Sequence, residues 1–144
     1  MNDDKTTSTM VKIDAEIGVA SDGTWGVYCK EQPFTGAGDT PQEAKDDMME
    51  QMQFYKETMK GLGMKYPAFL DSEFEVDYDY DINEILHYYV DSGRLSLAGL
   101  EKITGINQKQ LWSYLNGTKP RKAQRERIVR GFRAFSEELR SIFP

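Results

Sequence analysis

The chain has 144 residues, 39% of them hydrophobic and 29% charged, with a formal net charge of −6 and a single histidine. That length accommodates one ordinary domain or two small ones, each able to bury a useful core. No apolar run approaches the roughly 20 residues of a membrane span, residues 2–9 show no signal-peptide pattern, and one cysteine, Cys29, excludes an internal disulfide, so a cytoplasmic location is expected.

The net charge hides a division. Up to Tyr80 seven lysines face seventeen acids, whereas from Asp81 onward eleven Lys and Arg face seven acids. Between Arg94 and Arg133 the only acids are Glu101 and Glu126. An acidic half joined to a basic half points to two different partners.

Residues 1–10 are polar and read as a disordered tail. Val11, Ile13, Ala15 and Ile17 then alternate with Lys12, Asp14 and Glu16, the period of a strand with one buried face. Ser21-Asp22-Gly23 supplies a turn, and Trp25, Val27 and Cys29 form a second strand that pairs back on the first. In that strand Cys29 reads as a small buried apolar side chain rather than a nucleophile. Phe34-Thr35-Gly36 predicts a short third strand. Thr40-Pro41-Gln42-Glu43 predicts a helix start, with Thr40 as cap, Pro41 in the first position and Glu43 closing a capping box. Ala44, Met48, Met52, Tyr55 and Met59 place an apolar stripe on this helix, enough to cover the sheet, before Gly61 and Gly63 stop it.

A further strand fits residues 73–78. Phe74, Val76 and Tyr78 would face inward, leaving Glu73, Glu75, Asp77 and Asp79 as a row of carboxylates on the other side. Such a row either protects an edge strand from aggregation or docks a basic protein. No histidine or loop geometry accompanies it, so no metal or other cofactor is expected.

Asp81 and Glu84 open a helix carrying Ile82, Ile85, Leu86 and Tyr89, in which His87 reads as a structural or surface residue. Residues 95–119 then read as a helix-turn-helix. Ser96 caps a helix bearing Leu97, Leu100 and Ile103, Gly105 breaks it, and Asn107 caps a second helix bearing Leu111, Tyr114 and Leu115. The outer side of the second helix offers Gln108, Lys109 and Ser113 to base edges. Ser96, Asn107, Asn116, Lys119, Arg121 and Lys122 are placed for phosphates. Trp112 either packs at the helix edge or lies against the sugar-phosphate backbone. After Pro120 a basic helix carries Ile128, Phe132, Phe135, Leu139 and Ile142, a seam for the domain core or for a second chain.

The pattern Leu100, Gly105-Ile106, Leu111, Tyr114, Asn116-Gly117 resembles the Xre/Cro-type transcription factors, with Glu101 standing where such motifs usually have a small residue. The chain as a whole resembles the HicB family of antitoxins. The residues that carry this likeness are Ile13-Asp14-Ala15-Glu16-Ile17, Asp22-Gly23 with residues 25–28, and Gly38-Asp39-Thr40 leading into Glu43-Ala44. Residues 30–35, Lys-Glu-Gln-Pro-Phe-Thr, replace that family's usual Pro-Asp-Leu-Pro-Gly-Cys type of loop.

The expected fold class is therefore α+β. The resemblance implies a partial RNase H-like domain over residues 11–80, a three- to four-stranded sheet with one covering helix, followed by an all-α helix-turn-helix domain over residues 81–144. It further implies an antitoxin, not an enzyme, that neutralises a basic HicA-like RNA-cleaving toxin and represses its own operon by binding double-stranded operator DNA. Glu73, Glu75, Asp77 and Asp79 are then the toxin-facing candidates. A homodimer or higher even-numbered oligomer is expected, because two recognition helices read half-sites about one helical turn apart. The alternative is a solitary transcriptional regulator whose acidic domain binds another protein or a small ligand.

Overall fold

The computed structural model describes residues 10–144. The tail expected over residues 1–10 lies outside the described residues, apart from Met10, which is exposed. The described residues form a mixed α/β structure of one four-stranded sheet and five α-helices, divided into two compact units between Asp81 and Ile82.

The first unit contains β1 (Val11–Val19), β2 (Trp25–Cys29), β3 (Thr35–Gly38), α1 (Pro41–Gly61), a 3-10 turn (Ala68–Asp71) and β4 (Phe74–Tyr80). The sheet order is β3-β2-β1-β4. β2 runs antiparallel to both β1 and β3, and β4 runs parallel to β1. Alternation along β1 and β2 puts Ile13, Ala15, Ile17, Val19, Trp25, Val27 and Cys29 on one face, all buried, against Ala44, Met48 and Met52 of α1.

Close approach of β3 to α1 depends on glycine. A Cβ at Gly36 would run into the Ala44 carbonyl oxygen and lie 2.5 Å from the Met48 backbone nitrogen, and one at Gly38 would lie 2.8 Å from the Ala44 nitrogen. Gly38-Asp39-Thr40 is thus where the strand turns directly onto the first turn of the helix. Thr40 Oγ1 accepts from the Glu43 N–H at 3.1 Å, as expected of the cap. The carboxylate of Glu43 reaches one residue further back than a capping box requires and accepts from the Asp39 N–H at 3.0 Å.

The third strand begins at Thr35 rather than Phe34 and runs on to Gly38, because pairing with β2 continues to Trp25. Phe34 instead turns into the core and meets Tyr55 and Phe69 edge to face, with centroids 5.3 and 6.2 Å apart. β4 likewise begins one residue later than expected and extends to Tyr80, opposite Ile17. The 3-10 turn has no periodic signal in the sequence; it buries Phe69 and Leu70. Lys56 holds it, donating to the Leu70 carbonyl and pairing with Asp71, both at 3.1 Å.

The second unit contains α2 (Ile82–Asp91), α3 (Leu97–Thr104), α4 (Gln108–Leu115) and α5 (Lys122–Ile142). Leu86, Leu100, Ile106, Leu111, Tyr114 and Ile128 are buried and make its core. α3 and α5 pack closely at Gly131, where a Cβ would strike the Ile103 carbonyl oxygen and sit 3.0 Å from the Thr104 Cα. The seam on α5 is graded: Ile128 is buried, Phe132 and Phe135 are half-buried, and Leu139 and Ile142 are exposed.

Candidate functional site

The joint between α3 and α4 is built from local chemistry. Ser96 Oγ accepts from the Gly99 N–H at 3.0 Å and Asn107 Oδ1 from the Gln110 N–H at 2.8 Å, so each helix has its side-chain cap. Between them Gly105 adopts φ 74°, a left-handed conformation that closes α3, and its N–H donates to the Glu101 carbonyl at 2.7 Å. Thr104 is buried without an orphaned hydroxyl, since Oγ1 donates to the Leu100 carbonyl and accepts from the Ile106 N–H.

Two further side chains that sequence reasoning passed over fix this joint. Arg127 of α5 donates to the Gly105 carbonyl at 2.6 Å, so one of the basic residues counted above is a brace. Asn83 of α2 donates to the carbonyls of Tyr114 and Thr118, at 2.9 and 2.8 Å, and holds the exit of α4. The only signal for either is a polar residue interrupting an otherwise readable helix pattern.

What α4 presents outward differs in detail from the expected set. Gln108 and Lys109 are exposed, and Trp112, one turn beyond Gln108, is 57% exposed. Ser113 is half-buried and gives its hydroxyl proton to the Gln110 carbonyl at 2.6 Å. Gln108 Nε2 donates to Glu101 Oε1 at 3.1 Å, so Glu101, the residue that departs from the motif, holds the amide nitrogen of Gln108.

The residues expected at phosphates divide into two groups. Ser96 and Asn107 are committed as caps, and Asn116 Nδ2 donates to the Trp112 carbonyl at 2.9 Å. Lys119, Arg121 and Lys122, together with Lys109, are exposed and make no ion pair with any described residue. Chemically, α4 presents a hydrogen-bonding amide, an indole and one uncompensated cation, and the segment after it presents three more.

The chain matches no family model, no curated protein and no solved structure.

In the first unit the sheet face turned away from α1 gathers charge. Register places Lys12 beside Glu75, Asp14 beside Asp77 and Glu16 beside Asp79, so the carboxylate row of β4 is doubled by acids of β1. Glu73, Glu75 and Asp77 are exposed and Asp79 is half-buried. Lys12 pairs with Glu75 at 3.6 Å and Lys30 with Asp79 at 3.3 Å. Between these pairs, exposed Asp14 and Asp77 lie side by side with no ion pair to a described residue. Two like charges on neighbouring strands repel, which favours an incoming cation. Among the described residues no group of three His, Cys, Asp or Glu side chains is arranged to hold a metal ion, and no helix is long and apolar enough to cross a membrane.

Proposed function

We propose that this chain is a HicB-like antitoxin and autorepressor: a partial RNase H-like unit that binds a basic, HicA-like RNA-cleaving toxin, followed by a helix-turn-helix unit that binds operator DNA as a dimer or higher even-numbered oligomer. The observation that carries the DNA half is that Gln108, Lys109 and Trp112 are exposed on α4, with Lys119, Arg121 and Lys122 exposed in the segment that follows it, their cations uncompensated. Such a face pairs groups for base edges with charges for the phosphates that flank a groove. The caps at Ser96 and Asn107, the left-handed Gly105 and the braces Arg127 and Asn83 keep α4 in one orientation, and a helix that reads sequence needs that rigidity.

The toxin half draws on charge. The open sheet face bears Asp14, Glu16, Glu75, Asp77 and Asp79 against Lys12 and Lys30, which suits a cationic protein. A four-stranded sheet with one helix packed on it supports the partial RNase H-like reading of this unit.

The test is selection of duplexes from a randomised library by the full chain. The expected result is enrichment of inverted half-sites. Gln108→Ala with Lys109→Ala abolishes that preference. Lys119→Ala with Arg121→Ala instead weakens binding to all duplexes alike and flattens its salt dependence, by about 0.9 in slope for each phosphate no longer neutralised. Co-expression with a HicA-type toxin should relieve growth arrest, and should do so equally for the Gln108/Lys109 variant. No enrichment of any duplex refutes the repressor half, and loss of neutralisation in that variant refutes the division of labour.

A further inference from the structure

On the edge of the first unit opposite the carboxylate row, β3 and α1 enclose an open groove of about 630 Å³. Its floor and walls are mostly apolar: Phe34, Gly36 and Ala37 on the strand side, and Phe54, Tyr55 and Thr58 on the helix side. Phe54 is 67% exposed, although it lines a concavity. A large aromatic ring kept in water beside a concave apolar surface is the kind of anchor that protein interfaces use.

The groove lies along a free sheet edge. β3 is the outermost strand, and the Ala37 N–H, pointing away from β2, is taken by Asp47 Oδ2 at 2.9 Å. Thr35 alternates with Ala37 and presents its own backbone groups along the same edge. One edge donor is thus already satisfied by a carboxylate, which limits pairing with an arbitrary strand while leaving room for a segment that brings its own cation to Asp47.

Asp47 is the one charged residue in the groove's lining. Glu43, Asp47, Glu50 and Glu57 recur with Phe54 in a single stripe of α1, at successive spacings of four, three, four and three, and no lysine shares that stripe. Of the helix's three lysines, Lys45 lies over the Tyr78 ring at 4.7 Å, Lys56 pairs with Asp71, and Lys60 in the last turn is outside the groove's lining.

We infer that this groove docks a cationic protein segment carrying a large apolar residue flanked by Lys or Arg, the apolar side chain entering between Phe34 and Phe54 and the cations meeting Asp47 and Glu50. The inference deepens the partner-binding half of the proposed function and rests on the first unit being the protein-binding one. It is independent of DNA binding, and it adds to the charged sheet face an apolar anchor on the β3 edge.

The experiment presents a displayed library of random peptides, about twelve residues long, to the full chain, and then measures binding of the enriched peptides by fluorescence anisotropy. Enriched sequences should carry an aromatic or large aliphatic residue with Lys or Arg within a few positions. Phe54→Ser should weaken their binding by about tenfold or more, Glu50→Lys should weaken it most at low salt, and Glu137→Lys, in the second unit, should leave it unchanged. Enrichment of sequences without an apolar residue, or without cations, overturns the inference, as does enrichment of none. Binding that Asp77→Lys removes and Phe54→Ser spares overturns the groove while leaving the open sheet face as the partner site. Neutralisation of a HicA-type toxin that survives both Phe54→Ser and Glu50→Lys does the same. Failure of the wild-type chain to neutralise any such toxin counts against the broader reading and not against the groove.

Discussion

Gly131→Ala isolates the packing on which the orientation of the second unit's helices depends. Two effects oppose one another. In the interior of α5, alanine gains about 1 kcal/mol of helix propensity over glycine. Against this, the added Cβ overlaps the Ile103 carbonyl oxygen and comes within 3.0 Å of both the Ile103 carbonyl carbon and the Thr104 Cα. All three are backbone atoms, so no rotamer change relieves the contact and α5 must retreat from α3. A gap of about 0.5–1 Å forfeits a quarter to a half of the dispersion attraction across the seam, where Leu100 and Ile128 are fully buried. Overpacking against a rigid neighbour costs about 3 kcal/mol, the upper part of the usual range. The net loss is then about 2 kcal/mol, or a fall of about 10 °C in midpoint for a unit of about 60 residues. Thermal unfolding followed by far-UV circular dichroism measures it, with Gly61→Ala as control, since nothing lies within 4 Å of a Cβ there. Emission of Trp25, buried in the first unit, should keep its midpoint, whereas Trp112 is exposed already and adds little signal. A Gly131→Ala midpoint equal to or above the wild type would refute the close approach of α3 and α5.

Four further outcomes are expected. Burial raises the Cys29 thiol above its ordinary value, so a thiol reagent should label it only as fast as the first unit opens. Gly36→Ala, which drives β3 off the backbone of α1, should accelerate that labelling without altering duplex binding. Asn107→Ala removes the α4 cap and should cost about 1 kcal/mol in denaturant unfolding, with weakened binding to all duplexes through fraying of the helix that carries Gln108. The Lys56 ammonium and the Tyr66 hydroxyl, in that order, hold the Asp71 carboxyl below its ordinary value of 3.8. A depressed folded-state value means that the contribution is present above 3.8 and is lost as pH falls through the lower folded value. Asp71→Asn should therefore flatten the stability profile in that acid window and leave its shape at neutral pH unchanged.

Much of the local structure was legible because it depends on near neighbours. Alternation in residues 11–17, the Thr40-Pro41 helix start, and the caps Ser96 and Asn107 around Gly105 each follow from spacings of a few residues. The amphipathic stripes of α1 and α4 followed in the same way, as did the assignment of Gln108 and Lys109 to an exposed face, since a helix repeats its sides every 3.6 residues. Local periodicity was weaker at boundaries. β3 ended at Gly38 opposite Trp25, the first residue of β2, β4 began at Phe74 opposite Val11, the first residue of β1, and the Glu43 carboxylate went to Asp39 because of where Gly38 let the strand meet the helix.

Contacts between residues distant in the chain needed the tertiary structure. The parallel register of β4 on β1, which sets Asp14 beside Asp77, joins residues more than sixty positions apart and leaves no trace in either strand alone. The bond from Gln108 to Glu101, the use of Arg127 as a brace rather than a surface cation, and the groove between β3 and α1 arise for the same reason. Sequence determines which side of an element faces inward, because that depends on its own repeat. Which inward sides meet, and which polar groups then find partners, is decided by packing across the whole chain.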